Sequence, residues 1–446
     1  MRPDEWNKSD IFTLELISPD NPLDRGPEGL DGMLDVIESL DDELRPDTLH
    51  IIKRRMKYSR QTLRKRLPEA RVGKATSLHF SRSHRAPDAY IWLTCFEGNE
   101  DARCSFELRI NPFAFCREPG REEERASRFV KIIRAFASCL PLSYGFAHSN
   151  TDFFLGSAPR PENFGVPKQV DTAYWLNVYG PRLVQAIGRE RLLATPAAHV
   201  EELPHGAVLW LSRPTPADFD SHEARLTQAR ALVHLRPELK LEDTLATLHQ
   251  RSLAFTPLPI AFHPDVADIL NRQVEVHGLM EKRQLVERFN AYRPPEVSEW
   301  LPASQAPAPD VPDLQAAIDT YEDLYAEQLV SLLYKQLPSK DQFRSPEALP
   351  PIDFHLWRMA WGRVMDTQGK EALIPALGAY LGFLLVHVLG GKWLPRRNLE
   401  ETAVLVGDRA WLPFLRARHC LEGEQAPLDF SLTQLFRAAQ RLTRMC

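Results

Sequence analysis

The sequence predicts an α+β fold in which antiparallel sheets with covering helices form two N-terminal halves, followed by a mainly α-helical C-terminal domain. Short segments rich in aromatic and β-branched residues follow one another at hairpin distances over residues 1–292. Strands and helices do not alternate there in the regular order that a parallel sheet requires. Helical periodicity dominates from residue 313 onward. A chain of 446 residues has room for about two to four domains.

The first half, residues 1–165, begins with a strand and an amphipathic helix. Residues 11–17 alternate between apolar and polar, and apolar residues recur at helical spacing over 30–44. The next segments are typical of an antiparallel meander, a charged helix and a closing strand, at 77–80, 89–96, 105–110, 122–140 and 142–147.

The second half, residues 166–292, repeats this mixture of strands and helices. A strand is expected at 173–179, and a helix follows at 181–187, where Pro181 suits the first helical turn. A hairpin is expected from 199–203 and 207–211, and a further helix over 221–235.

A proline-rich segment at 293–312 separates the halves from the C-terminal domain, 313–446. Its six prolines in twenty residues exclude a helix or a central strand, so we expect an extended linker. Beyond it, Gly378 and Gly382 lie on one face of an apolar helix, where they would let a neighbouring helix approach closely. Helices are expected over 314–337, 353–365, 372–389 and 431–442, with one tight hairpin at 403–412.

Composition favours a globular, cytoplasmic protein. Hydrophobic residues make up 43% of the chain and charged residues 26%, and the net charge of -5 gives no overall basicity for nucleic acid. Six cysteines in so long a chain are too few for a disulfide scaffold, which predicts reduced thiols, mostly buried. The N-terminus lacks an apolar signal region, and the apolar segment 376–389 is too short to span a membrane.

One set of residues mimics the acidic, acidic, lysine motif of restriction-type nucleases. Asp218 or Asp220 would bind Mg²⁺ together with Glu238, while Lys240 would stabilise the attacked phosphate. That motif requires adjacent strands, whereas Glu238 follows a predicted helix and a proline. The alternative is a solvated loop, which we favour.

Two further groups of residues resemble a metal site and a nucleophile–base pair, but their positions in the chain argue against both. Asp218, Asp220, His222 and Glu223 suit a divalent metal, but they lie where a helix is expected to begin, and capping explains acidic residues there. His419 and Cys420 are neighbours in sequence, so their side chains diverge on a helix. We therefore predict no catalytic, cofactor-binding or metal-binding residues and no enzymatic activity.

Two charged features are candidates for partner contacts. The segment 53–66 has eight basic residues in fourteen positions, which fits a phosphate-binding stripe, a contact with an acidic protein or a solvated helix face. Acidic residues form an outer helix face upstream and a hairpin tip downstream, which fits either a partner site or a solubilising surface. The predicted partner-binding residues are Asp35, Glu38, Asp42, Glu97, Glu100 and Asp101.

The sequence also resembles bacterial toxin-immunity families of type VI secretion systems, including immunity protein 52. The resembling segments lie within residues 1–290, at 77–80, 91–96, 106–112, 175–181 and 200–206. The resemblance implies a cytoplasmic immunity protein that has no active site and inhibits a cognate toxin stoichiometrically. It also implies that the toxin is a restriction-endonuclease-like nuclease.

These observations lead to one principal hypothesis and two alternatives. The principal hypothesis is an immunity protein whose acidic residues occupy the basic groove of a nuclease toxin in place of phosphate. It involves no cofactor, no membrane and no nucleic acid. The first alternative is a nucleic-acid-associated or scaffold protein that uses the basic stretch 53–66, and the second is an enzyme with an unrecognised site. The helical extension at 313–446 departs from the immunity pattern.

Overall fold

The computed structural model describes residues 3–52, 54–82, 87–98, 102–156, 166–333, 345–362, 367–422 and 426–443. The chain forms two compact units. Unit 1 comprises Met1–Leu258 and Gly278–Arg283, and unit 2 comprises Pro259–His277 and Gln284–Cys446. The predicted α+β class, with a mainly helical C-terminal region, is confirmed.

Unit 1 is built on one antiparallel sheet, which has eleven strands in the described part of the chain. Their order is β10-β11-β9-β8-β1-β7-β6-β5-β2-β3, and β4 pairs with β5 beside this path. The predicted meander corresponds to β5, β6 and β7, and the predicted hairpin to β10 and β11. The strands are β1 Phe12–Ser18, β2 Thr48–Ile51, β3 Arg54–Lys57, β4 Arg71–Val72, β5 Ala75–Ser81, β6 Asp88–Phe96, β7 Cys104–Asn111, β8 Tyr144–Ser149, β9 Leu176–Tyr179, β10 His199–Glu202 and β11 Val208–Leu211.

The two predicted halves, 1–165 and 166–292, contribute strands to one common sheet. Strand β8 pairs with β1 on one side and with β9 on the other, so strands from both halves join. Strand β1 also pairs with β7 along its other edge, and all seven of its residues are buried. These pairings between distant segments are not reported by local periodicity.

Helices cover one face of the sheet along most of its length. The apolar side of α4 packs on this face, with Phe129 stacked 4.2 Å from Phe12 and Phe136 4.2 Å from Phe106. Serine side chains accept hydrogen bonds from the first turns of α3 and α8. The helices are α1 Pro3–Trp6, α2 Asp31–Glu38, α3 Arg60–Arg66, α4 Glu122–Cys139, α5 Asn150–Gly156, α6 Pro181–Ile187, α7 Arg189–Leu193, α8 His222–Leu235 and α9 Leu241–Ser252.

Unit 2 packs its helices around an apolar central helix and a small sheet. The sheet order is β12-β15-β14-β13, in which β14 and β15 are the predicted hairpin. Its strands are β12 Trp300–Pro302, β13 Lys392–Leu394, β14 Ala403–Val406 and β15 Arg409–Trp411. Its helices are α10 Ala267–Val276, α11 Leu279–Ala291, which begins in unit 1, α12 Leu314–Asp319, a π-helical turn Thr320–Ala326, α13 Glu327–Leu333, α14 Leu349–Gly362, α15 Thr367–His387, α16 Pro413–Cys420, α17 Ala426–Asp429 and α18 Leu432–Thr443.

The two glycines predicted on the apolar helix are both close-packing positions of α15. A Cβ atom on Gly378 would collide with Phe414 of α16, and one on Gly382 would collide with Trp393 of β13. Among the described residues, no helix is both long and apolar enough to cross a bilayer. Five cysteines are free thiols, four of them buried, as predicted, and Cys446 lies outside the described residues.

The proline-rich segment 293–312 is not an extended linker but part of the packed structure of unit 2. Trp300–Pro302 forms β12, which pairs with β15. Glu299 is 1% exposed and accepts hydrogen bonds from Arg416 at 3.0 Å and from His419 at 2.8 Å. Proline excludes a helix here, but side chains between the prolines still pack and pair. The predicted boundaries at 293 and 313 therefore lie inside unit 2.

This packing gives a stability prediction for Glu299→Ala. The substitution leaves the buried Arg416 guanidinium without its carboxylate, so unit 2 should lose about 3–5 kcal/mol of unfolding free energy. Denaturant unfolding, followed by tryptophan fluorescence, measures the loss. The neighbouring exposed residue provides the control, because Glu296→Ala should change stability by less than about 0.5 kcal/mol. Equal stabilities of the two variants would contradict a packed segment.

Candidate partner-binding face

The predicted acidic helix face on α2 is largely neutralised by the basic stretch that follows it. Arg60 forms an ion pair with Asp35 and donates two hydrogen bonds to Glu38, at 2.8 and 2.7 Å. Tyr58 donates a third to Glu38 at 2.7 Å. The hydrogen bond from Arg60 lowers the pKa of Glu38. Arg64 reaches Asp31 in the same way, at 2.8 Å. The two charged features therefore bind each other through α2 and α3.

The other predicted partner-binding residues lie apart from this cluster. Asp42 has a 93% exposed side chain and an ion pair of 3.3 Å with Arg45. Glu97 pairs with Arg71 at 3.0 Å. Glu100 and Asp101 lie outside the described residues. The structure does not bring these residues together into one acidic surface.

The acidic residues of the nuclease-like and metal-like sets each form an ion pair with an arginine. Asp218 binds Arg213 at 2.5 Å, Asp220 binds Arg117 at 2.7 Å and Glu238 binds Arg236 at 2.7 Å. Within the described residues, no three histidine, cysteine or acidic side chains are placed to share a metal ion. In the His419 and Cys420 pair, the histidine binds Glu299, and burial raises the pKa of the cysteine thiol well above its usual value.

A buried charge cluster joins four elements on one side of unit 1. Asp152 on α5 accepts hydrogen bonds from Arg225 at 2.8 Å and from Arg251 at 3.0 Å, and it bonds His148 at 2.6 Å. The other ring nitrogen of His148 accepts from the Trp175 backbone N–H at 3.2 Å, so Nε2 carries the proton and donates to Asp152. Burial favours a higher pKa for Asp152, but the Arg251 charge and these hydrogen bonds outweigh it and hold the pKa well below its usual value.

This cluster has a structural role. Both oxygens of Asp152 are occupied by cationic or N–H donors, and the side chains of Asp152 and Arg225 are fully buried. Burial also lowers the pKa of His148, which agrees with its neutral ring. The cluster ties β8 and α5 to α8 and α9.

A different surface exposes aromatic side chains on regular strands. On the face opposite α4, the cross-strand partners follow one row from β3 through β2, β5, β6 and β7. The row consists of Arg55, His50, His79, Trp92 and Glu107. These side chains are half-buried or exposed. We call this area the open face.

The rings of the open face form a column. His50 lies 4.5 Å from His79, and His79 lies 4.6 Å from Trp92 with only 7° between the ring planes. Arg109 of β7 lies 5.1 Å from the centre of the Trp92 ring, and Tyr90 lies 5.9 Å from it. These spacings match the distance between neighbouring strands, so the rings stand upright on the sheet. Their edges, rather than their faces, point outward.

The two histidines of the column are neutral at pH 7. Burial and, to a smaller extent, the neighbouring His50 together lower the pKa of His79 to about 4. Burial and the Arg55 charge also lower the pKa of His50. The column is thus an uncharged aromatic stack between two arginines, Arg55 and Arg109.

The open face ends where other parts of unit 1 cover the same side of the sheet. On β8, β9 and β11 the corresponding residues belong to a buried cluster with α8, which includes Phe146, Tyr179, Trp210 and Leu232. From β7 to β3 most side chains on this side remain half-buried or exposed, although Thr48 and Ser81 are buried. The sheet therefore extends beyond its cover on this side.

The sequence did not lead us to predict Trp92, His79, His50 or Arg109 as partner-binding residues, although all but His50 lie in the segments that resemble immunity families. In β6, Tyr90 and Trp92 lie on one side of the strand, opposite Ile91 and Leu93. Large aromatic residues on the polar side of such a strand were the available signal. The register that stacks His79 on Trp92 is set by pairing between strands.

No family model, curated protein or solved structure matches this chain.

The pKa of His79 predicts a pH effect on stability. The folded pKa of about 4 lies below the ordinary histidine pKa of about 6.5, so the unfolded chain binds a proton between these pH values that the folded protein does not. The free energy of unfolding should therefore fall as the pH drops from 6.5 to 4. In His79→Gln this fall should be smaller by on the order of 2 kcal/mol. Urea unfolding of wild type and variant at pH 7 and pH 4 measures it.

The control for this experiment is the exposed His199, changed to Gln. This substitution should leave unaltered the difference between the free energies of unfolding at pH 7 and pH 4. If His79→Gln and His199→Gln behave alike, the column does not suppress protonation of His79.

Proposed function

We propose that this protein is an immunity protein, which neutralises a cognate type VI secreted toxin, a nuclease, by direct stoichiometric binding in the cytoplasm. It inhibits the toxin by binding to it and does not act by catalysis. The observation that carries the proposal is the open face with its column of His50, His79, Trp92 and Arg109. The resemblance of residues 1–290 to immunity families supplies the class of partner.

The side chains of the open face are those that dominate protein interfaces. Tryptophan, tyrosine and arginine are enriched among the residues that lose most binding free energy when truncated. Trp92 and Tyr90 are held by neighbouring rings and a regular strand, so little side-chain freedom remains to be lost on binding. A rigid, aromatic, partly exposed sheet face favours a protein partner.

The charge pairing changes where we place the contact. Asp35 and Glu38 are engaged by Arg60, so they are poorly suited to replace phosphate in a basic toxin groove. Asp42 remains exposed, but it is a single charge. We therefore assign the main contact to the open face and only a secondary role to the acidic residues.

The same geometry disfavours the nucleic-acid alternative. Proteins that bind single strands stack bases on aromatic ring faces. In the column, His79 and Trp92 cover each other's faces, and Arg109 lies over Trp92. In the basic stretch, Arg60, Arg64 and Arg66 are already in ion pairs with acidic residues.

The test searches the neighbourhood of the gene for an encoded secreted toxin and uses the toxin found there. The two proteins should form a one-to-one complex in calorimetry, and co-expression should protect cells from the toxin. Trp92→Ala should weaken binding at least about 30-fold, which corresponds to the loss of about 2 kcal/mol at an interface centre.

Trp300→Ala is the matched control, because Trp300 also lies on a strand beside an arginine, with Arg409 3.7 Å from its ring centre. This variant should bind the toxin within about twofold of wild type. Circular dichroism must show both variants folded. Failure of the wild-type protein to bind would refute the proposed function, and equal binding by both variants would refute the assigned face.

A further inference from the structure

The unpaired part of the basic stretch lies on strand β3. Arg54, Arg55 and Lys57 are exposed, and none of them forms an ion pair with any described residue. This contrasts with Arg60 and Arg64 on α3, which bind the acidic residues of α2. Three cations in a four-residue strand therefore remain available to an external group.

Strand β3 is also an edge of the large sheet. In the described part of the chain it pairs with β2 on one side and ends the strand order on the other. An edge strand presents backbone N–H and C=O groups that another chain can pair with. Arg55 lies opposite His50, so an added strand would continue the row that contains the column.

We propose that β3 receives an extended acidic segment of the partner protein, which adds a strand to the sheet and pairs its carboxylates with Arg54, Arg55 and Lys57. Strand addition of this kind takes affinity from backbone hydrogen bonds and specificity from side chains. The inference rests on the proposed function for the identity of the partner, and it adds the partner's chemistry and the site of contact.

Charge decides between the possible occupants of this edge. A second copy of β3 would bring six cations together, so self-pairing is opposed by repulsion. An acidic strand alternates its side chains with the same period as β3, which lets both members of each cross-strand pair carry opposite charge. Nucleic acid would meet these three cations but would leave the backbone groups of the edge unsatisfied.

The binding experiment uses three fluorescent probes of similar length: a 12-residue peptide of Glu-Glu-Thr repeats, which presents carboxylates on both sides of a strand, the corresponding Lys-Lys-Thr peptide, and a 12-nucleotide oligo-dT. Fluorescence anisotropy with the full-length protein should show binding of the Glu peptide and none of the Lys peptide. Hydrogen exchange should slow at the amides of Arg54–Lys57 when the Glu peptide binds.

The test variant is the triple substitution Arg54→Glu, Arg55→Glu and Lys57→Glu. It should weaken the affinity for the Glu peptide at least tenfold. The control carries the same change of charge at Lys131, Lys168 and Lys240, which are exposed elsewhere on unit 1. It should bind within about twofold of wild type. Equal losses in both variants, no binding of the Glu peptide, unchanged exchange at β3, or tighter binding of oligo-dT would each overturn the inference.

The toxin separates this inference from the proposed function. If the toxin binds wild type and the β3 triple variant equally, the strand addition is wrong while the immunity function stands. If the Glu peptide binds at β3 but no toxin binds, the proposed function is wrong while the acidic-strand site stands.

Discussion

Strand β1 imposes the constraint on which the whole of unit 1 depends, because it is hydrogen-bonded along both edges. It pairs with β7 on one side and with β8 on the other, and its seven residues are buried. Without β1 the sheet would divide into the strands from β7 to β3 and those from β8 to β10, each with a new unpaired edge. The open face and the covered half belong to one continuous sheet because β1 joins them.

The uneven cover of that frame explains why aromatic residues remain accessible on it. The apolar side of α4 packs on one face of the sheet. On the other face, α8 covers β8, β9 and β11 and leaves the strands from β7 to β3 uncovered. The remaining strands need side chains that tolerate partial exposure. Upright rings packed against one another satisfy this, since each ring buries its faces on its neighbours and leaves only its edge to solvent.

Most strands of unit 1, but fewer than half of its helices in the described part of the chain, were predictable because their signals lie within a few residues. Their content of aromatic and β-branched residues located β6 and β7, and the apolar inner face of a charged segment located α4. The pairing of β1 with β8 joins segments more than a hundred residues apart, and no local pattern contains it. The proline-rich segment 293–312 contains no α-helix, as predicted, only a short 3-10 turn at Ala303–Gln305, but nothing in its composition indicates that Glu299 is buried against Arg416.

The candidate site was less predictable than the fold for the same reason. Runs of acidic and basic residues were visible in the sequence, but their mutual neutralisation depends on α3 lying beside α2. The column depends on register, since a shift of one residue would send His79 to the other side of the sheet. Sequence reasoning can supply the residue types of a surface, whereas pairing between elements decides which of them remain available.

The position of β1 also has a consequence for synthesis of the chain on the ribosome. Strand β1 ends at Ser18, whereas its partners begin at Cys104 and Tyr144. At roughly 5–20 residues per second, the ribosome needs on the order of ten seconds to produce the second partner. During that interval the apolar residues of β1 have neither neighbour, so the nascent chain presents a template for wrong pairing. The central strand of the finished sheet is thus the segment with the greatest need of chaperone protection before folding is complete.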